Sequence, residues 1–143
     1  MNKIFTFAFN RPDLLEKQYL SFKKNIKGDF EFNVAYDHRD NSLDEKFFEV
    51  CEKYSLNLYD HFVPSSMGPS GNHARCVEWI FNNHLEDDDN VIMLDHDIFL
   101  MSEFDIDEYF NLYDIYSPVI PKKKFDCISL FVFGFKYKKI KDF

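Results

Sequence analysis

Hydrophobic and polar positions follow two different periods along the chain, and their order predicts the secondary structure. Four short segments have the length of strands and are bounded by polar or turn-forming residues, at residues 4–9, 30–36, 56–63 and 90–94; the first and the fourth are almost wholly apolar. Between these segments, apolar residues recur every three or four positions, which is typical of helices: Leu15, Tyr19, Phe22 and Ile26; Phe47, Val50, Cys51 and Tyr54; Ala74, Val77, Phe81 and Leu85. Alternating strands and helices predict an α/β fold, a three-layer α/β/α sandwich with a mainly parallel sheet.

Local signals mark the ends of several elements. Pro12 suits the first turn of the helix after the first strand. Ser42 and Glu45 have the spacing of a capping box. Residues 64–71 are rich in Pro, Ser and Gly and are predicted to form a loop. Further along, the pattern predicts one helix and two strands, at residues 105–112, 115–120 and 127–134.

Two carboxylates directly follow the fourth apolar run, in the stretch LDHDIFL. Open parallel sheets bind ligands beyond the carboxyl ends of their strands, which is where Asp95 and Asp97 are expected to lie. The acidic run at residues 86–89 is expected at the opposite edge. A pair of carboxylates one residue apart suits a hard divalent cation such as Mn²⁺ or Mg²⁺. The alternative is that Asp95 and Asp97 only cap the following turn.

Four loose motifs in a fixed order carry a resemblance to a known family. They read FAFNRPDLL, NVAYDHRDNS, GPSGNHARCVEWI and VIMLDHDIFL. In this order they resemble the nucleotide-sugar-binding half of GT-A glycosyltransferases, over roughly residues 3–104. The length and composition of the chain favour a single domain over residues 1–143, and the resemblance implies that this domain binds a nucleotide sugar and lacks a full acceptor-binding region. It also implies a metal-dependent transferase that moves a sugar from a nucleoside-diphosphate sugar to an acceptor.

The same resemblance implies the residues that contact the nucleotide. Asp37 would accept a hydrogen bond from the base, as from the N3–H of uracil, and Asn10 and Arg11 would line the same pocket. Arg75 would approach the base or the diphosphate. UDP is the leading donor nucleotide and GDP is the next. Two of these residues also have a structural alternative: Asp37 could begin a turn, and Arg75 could be an exposed helix residue that pairs with Glu78 or an acidic neighbour.

The metal site is likewise implied by the resemblance. Asp95 would lie near the ribose and the metal, and Asp97 would bind Mn²⁺ or Mg²⁺ directly. His73 lies near a predicted helix start beside the loop, where a phosphate contact is the less favoured interpretation. His96 is expected to point away from its two flanking aspartates if the strand continues through it.

Composition narrows the function classes. The chain has 143 residues and a formal charge of −8, so a general nucleic-acid surface is not expected. Three widely spaced cysteines form neither a disulfide framework nor a zinc motif and favour a reducing, cytoplasmic setting. The apolar runs are too short to span a bilayer, although the seven lysines of residues 121–143 leave a peripheral membrane contact open.

The acceptor side of the predicted enzyme is incomplete in this sequence. About 40 residues follow the aspartate pair, and no carboxylate among them can be named as a general base, so the catalytic residue stays unknown. Two explanations are open, a truncated reading frame or a very small transferase that completes its site with a partner. The apolar run at residues 127–135 is also expected to promote association. The alternative function is a catalytically silent nucleotide- or partner-binding module.

Overall fold

The computed structural model describes residues 1–37, 41–60, 68–116, 119–120, 127–128 and 132–141. In chain order the strands are β1 (Asn2–Ala8), β2 (Ile26–Lys27), β3 (Glu31–Tyr36), β4 (Asn57–Tyr59), β5 (Asn90–Asp95), β6 (Phe104–Asp105), β7 (Ile115–Tyr116), β8 (Val119–Ile120), β9 (Cys127–Ile128) and β10 (Val132–Lys136). The helices are α1 (Pro12–Asn25), α2 (Asp44–Tyr54), α3 (Gly68–Asn83), α4 (Ile106–Leu112) and α5 (Tyr137–Ile140), and a 3-10 turn at Asn41–Leu43 precedes α2.

Six strands form the main sheet in the order β4-β3-β1-β5-β10-β7. The first four of these are parallel to one another, with β1 paired to β3 on one side and to β5 on the other. β10 runs antiparallel to β5, and β7 runs antiparallel to β10. The predicted mainly parallel α/β sandwich is therefore confirmed, with an antiparallel edge.

Apolar side chains cover both faces of the sheet, which explains why its central strands read as continuous hydrophobic runs. One face packs against α1, α2 and α4 through Leu15, Phe22, Phe47, Cys51, Ile106 and Phe110. The other packs against α3 and α5 through Cys76, Ile80, Trp79, Tyr137 and Ile140. The chain therefore changes faces between α2 and α3, after β4.

The first helix begins where the sequence signals place it. Pro12 occupies the first turn, where its missing N–H leaves no hydrogen bond unmade, and Asp13 lies there beside the positive helix end. The helix ends before β2, and Gly28 follows with a φ of +96°. A Cβ at Gly28 would lie 2.7 Å from Oδ2 of Asp107, so both conformation and space favour glycine there.

Two predictions at helix starts are wrong. α2 has Leu43 at its cap position and no side-chain cap hydrogen bond, because the 3-10 turn brings the chain into the helix, so the predicted capping box does not form. Helix α3 begins at Gly68, so residues 68–71 are helical instead of loop. A first turn tolerates Gly, Pro and Ser because its N–H groups have no partner within the helix. Residues 64–67 of that predicted loop lie outside the described residues.

The remaining strands are shorter or divided compared with the predictions. The third strand covers Asn57–Tyr59, and residues 61–63 of the prediction lie outside the described part. The run at 115–120 contributes to two different sheets, and so does the run at 127–134. No helix in the described part of the chain combines the length and the apolar character that a membrane crossing requires.

Candidate functional site

A small cavity opens where the order of the parallel strands reverses. From β1 the chain moves outward to β3 and β4, and then crosses back to place β5 on the other side of β1. In open α/β sheets this reversal leaves a crevice beyond the carboxyl strand ends. Here the crevice is a cavity of about 170 Å³, lined by Phe7, Ala8, Phe9, Ala35, Asp37, Asn72, His73, Cys76, Asp95 and His96.

Asp37 enters this cavity from the end of β3. Its backbone N–H donates to the carbonyl of Ala8 at 3.1 Å, which ties the chain leaving β3 to the end of β1. Asn72, in the second turn of α3 and 1% exposed, donates from Nδ2 to Oδ2 of Asp37 at 3.4 Å. The start of α3 therefore lies at the same rim as the strand ends.

Asp95 enters the cavity from the end of β5, opposite His73 of α3. Nδ1 of His73 lies 3.6 Å from Oδ1 of Asp95, and the imidazole also packs on the ring of Phe7 with 4.1 Å between centroids. Burial lowers the pKa of His73, although Asp95 opposes this. Burial raises the pKa of Asp95, although His73 opposes it. Burial outweighs attraction for both groups, so the close pair is a neutral imidazole beside a carboxylate and not a strong ion pair.

The residues after Asp95 form a tight turn. The N–H of Ile98 donates to the carbonyl of Asp95 at 3.2 Å, so strand β5 stops at Asp95. His96 lines the cavity together with Asp95. The expected alternation that would turn His96 away required the strand to continue through it, and that condition is not met because β5 ends at Asp95. Asp97 is exposed at the turn, outside the cavity lining, and its charge contributes to the raised pKa of Asp95.

Three of the predicted nucleotide contacts lie outside the cavity lining. Asn10 is exposed in the left-handed region with a φ of 43°, and Arg11 next to it is exposed. Arg11 donates from Nε and Nη2 to the two carboxylate oxygens of Asp13, both at 2.8 Å. Arg75 lies on the exposed side of α3. The cavity thus brings together Asp37 and Asp95 from the predicted set.

Asn72 belongs to the site and was not predicted. The buried face of α3 carries Asn72, Cys76 and Ile80 at four-residue spacing, whereas Ala74 from the predicted apolar stripe is exposed. A polar residue can start a buried face when it has a hydrogen-bond partner, as Asn72 has in Asp37. That four-residue spacing is the sequence signal that could have identified it. Cys76 has a pKa raised to about 12, chiefly by burial and further by Asp37, so its thiol is not a nucleophile here.

Asp95 and Asp97 are the oxygen donors at this rim that suit a divalent cation. No cluster of three or more His, Cys, Asp or Glu side chains with the arrangement of a metal site occurs among the described residues. Mg²⁺ commonly takes one or two carboxylates and completes its shell with water and substrate phosphate oxygens. Asp95 and Asp97 supply two such carboxylates at this rim.

Comparisons with known proteins report on the fold. No protein-family model matches the sequence, and neither does any curated protein. Among solved structures, the galactosyltransferase LgtC in complex with donor and acceptor sugar analogues matches 100% of this chain with a TM-score of 0.66 and 12% identity. The glycosyltransferase GlyE of Streptococcus pneumoniae TIGR4 matches 96% with a TM-score of 0.58 and 13% identity. Mannosyltransferase PcManGT of Pyrobaculum calidifontis, in complex with GDP-Man and Mn²⁺, matches 67% with a TM-score of 0.50 and 13% identity.

The match covers only part of each neighbour. The chain spans 60% of the LgtC chain, 34% of the GlyE chain and 27% of the PcManGT chain. At 12–13% identity the likeness concerns architecture. Together with the parallel sheet and its crevice, it gives one conclusion. This chain has a GT-A-like fold.

Proposed function

We propose that this chain binds a nucleoside-diphosphate sugar with a divalent cation at the carboxyl rim of its sheet and takes part in transferring the sugar to an acceptor. The observation that carries the proposal is the cavity at the strand-order reversal. It gathers Asp37 from β3, Asp95 from β5, and Asn72 and His73 from the start of α3. UDP is the first nucleotide to test and GDP the second.

The size of the cavity supports a divided binding mode. Small-molecule pockets commonly measure about 300–1,000 Å³. A cavity of about 170 Å³ holds only part of a nucleotide sugar. We assign the base and ribose to the cavity near Asp37, and the diphosphate to the rim near Asp95 and Asp97. In this arrangement Arg75 and the Asn10–Arg11 loop contact the ligand outside the cavity, so we expect a smaller contribution from each.

The side chains of the cavity suit those roles. The carboxylate of Asp37 accepts an N–H of the base, and Asn72 holds that carboxylate through Oδ2. His73, neutral because burial lowers its pKa, can donate a hydrogen bond to a phosphate oxygen. The start of α3 faces the same rim, where helix N–H groups favour an anion.

A divalent cation would be held by Asp97 and Asp95 together with the diphosphate. When bound, it would stabilise the negative charge that develops on the leaving nucleoside diphosphate as the sugar bond breaks. Asp95 and Asp97 would fix the position of the cation relative to the leaving diphosphate.

Calorimetric titration with UDP, GDP, ADP and CDP tests binding directly. We expect UDP to bind most tightly, and only in the presence of Mn²⁺ or Mg²⁺. Asp88→Asn is the matched control, because Asp88 is an exposed carboxylate at the other end of β5 and should not affect binding. Absence of cation-dependent binding of every nucleotide would refute the proposal.

Turnover is tested separately from binding. UDP release from a panel of UDP-sugars, with and without acceptors, measures transfer. We expect the 143-residue chain to bind UDP but to show weak or no transfer, because acceptor positioning and proton removal each contribute large factors to rate. Robust acceptor-dependent release would show a complete site. Slow release of UDP by hydrolysis of a UDP-sugar, without transfer, would show a reactive donor site, whereas binding without any release of UDP would favour the silent nucleotide-binding module.

A further inference from the structure

A buried glutamine lies on α1 beneath the aspartate pair. Gln18 has none of its surface exposed and lies on the buried side of α1 with Leu15 and Phe22. A polar side chain in such a place destabilises the fold unless its hydrogen bonds are made. Its partners therefore show what it does.

The amide of Gln18 joins three elements. Its Oε1 accepts from the hydroxyl of Thr6 on β1 at 2.7 Å. Its Nε2 donates to the carbonyl of Asp95 at 2.8 Å and to the carbonyl of Ile98 at 2.8 Å. Both N–H donors and the carbonyl oxygen are used, and the Thr6 hydroxyl fixes which end of the amide faces the turn.

The two carbonyls that Gln18 binds stand at the two ends of one turn. Asp95 and Ile98 are its first and last residues, and one backbone hydrogen bond of 3.2 Å closes it, from the N–H of Ile98 to the carbonyl of Asp95. Both carboxylates of the pair, Asp95 and Asp97, project from this turn. The buried side-chain amide of Gln18 thus binds the backbone on both sides of Asp97.

The same side of α1 continues to hold the chain after the turn. The N–H of Leu100 donates to Oγ of Ser21 at 3.2 Å, and Nδ2 of Asn25 donates to the carbonyl of Leu100 at 2.6 Å. Gln18, Ser21 and Asn25 are spaced as one ridge of a helix. This polar ridge anchors the segment from Asp95 to Leu100 to a rigid element.

We propose that Gln18 is a positioning residue for the aspartate pair, holding the turn so that Asp95 and Asp97 meet a cation and a diphosphate without rearrangement. The inference rests on the proposed function. Sites of this kind need their ligands held within about 0.5 Å, and partners behind metal ligands commonly change metal affinity by about 10- to 100-fold. Gln18 contacts the turn only through backbone carbonyls, so its effect reaches the carboxylates through the backbone.

The test compares Mn²⁺-dependent UDP affinity with folding stability in the same variants. Gln18→Met keeps the approximate volume but removes both donors, and we expect UDP affinity with Mn²⁺ to fall at least about tenfold. Thr6→Val leaves Gln18 in place without its orienting hydroxyl and should give a smaller loss, whereas Thr6→Ser should restore wild-type affinity. Cys51→Ala is the control, because it removes a buried side chain from the same core without touching the turn.

Each outcome has one meaning. If Gln18→Met lowers stability as Cys51→Ala does while the affinity of the folded protein stays within twofold of wild type, Gln18 is structural only and the inference is overturned. If Gln18→Met does not fold, the threonine variants decide: a loss of affinity in Thr6→Val that Thr6→Ser does not show supports the inference, and wild-type affinity in both overturns it. If the wild-type chain itself shows no Mn²⁺-dependent binding, the proposed function fails first, and the wild-type titration reports that separately.

Discussion

The two ends of strand β5 both carry buried or half-buried carboxylates, yet the protein treats them differently. Asp89, just before the strand, is 4% exposed and lies 2.7 Å from Nζ of Lys3. Its Oδ2 also accepts the N–H of Glu86 at 2.8 Å. Asp95, at the other end, has a side chain 23% exposed and lies beside His73, whose pKa is lowered by burial.

The difference separates a structural carboxylate from a candidate functional one. At the end of β5 where the strand begins, burial of Asp89 is compensated by a lysine and a backbone N–H, which is the usual condition for a buried charge. At the open rim, burial raises the pKa of Asp95, and the described residues that oppose this shift are two histidines, His73 and His96. A carboxylate whose pKa is perturbed within a cleft is a candidate for ligand binding. The expected position of the acidic run at the opposite edge is confirmed.

At the open rim, the charge of the Asp95 side chain is only weakly compensated, but the backbone of the turn is firmly held. Its backbone is held by Gln18 at both ends of the turn and by Asn25 farther on. A rigid backbone that presents under-compensated carboxylates suits a cation brought with the substrate, because the geometry is already formed.

The largest effect on stability should come from substitution of Asp89, just before strand β5. Asp89→Ala removes the partner of Lys3, whose side chain is only 15% exposed, and leaves a largely buried charge. We expect the free energy of unfolding to fall by about 3 kcal/mol in urea denaturation. Nucleotide affinity of the folded fraction should stay the same. Asp88→Asn, next to it but exposed, should change stability by less than about 0.5 kcal/mol.

Asp97→Asn should weaken nucleotide binding and leave stability unchanged, the opposite of Asp89→Ala. The amide keeps the shape but loses a charged oxygen ligand, so we expect UDP affinity with Mn²⁺ to fall at least about tenfold, or about 1.4 kcal/mol. Stability should change by less than about 0.5 kcal/mol, because Asp97 is exposed. Calorimetry and urea denaturation measure the two quantities. Unchanged affinity would exclude Asp97 as a ligand.

Asp95→Asn should have a small effect on stability in the favourable direction. Because burial raises the pKa of Asp95, the ionised carboxylate is less favourable in the folded chain than in the unfolded one at neutral pH. Removing the charge should leave the free energy of unfolding unchanged or raise it by about a few tenths of a kcal/mol. A clear loss of stability would show that Asp95 is a structural carboxylate like Asp89.

Much of the fold could be predicted because its central strands and helices obey simple periods. β1, β3 and β5 are covered on both faces, so their apolar runs stand out, and the stripes of α1 and α2 match their buried sides. The parts predicted less well depend on partners far along the chain. The run at 115–120 contributes to two sheets, and no local pattern states which strand each half joins.

The candidate site was predictable in its strand-end carboxylates and less so in its helix residues. Asp37 and Asp95 follow apolar runs directly, so their place at one rim comes from topology alone. Asn72 and Gln18 read as ordinary polar residues, because their burial depends on which side of α3 and of α1 faces the sheet. A polar residue in register with a buried stripe is the signal that could have revealed both.

The smallest effect is expected for alkylation of Cys76, the thiol in the cavity. This measurement tests whether a side chain becomes reactive merely because it lies at the open rim. Cys76 lines the cavity and Cys51 lies in the core on the other face, and burial raises the pKa of each to about 12. At pH 8 about one such thiol in ten thousand is ionised, against about one in four for an exposed cysteine. We therefore expect neither to react with iodoacetamide in the native protein, and both to react in urea, as read residue by residue by mass spectrometry. Rapid native labelling of Cys76 alone would mean that the rim opens further than its side-chain packing indicates, and that the contrast between the two ends of β5 extends to the start of α3.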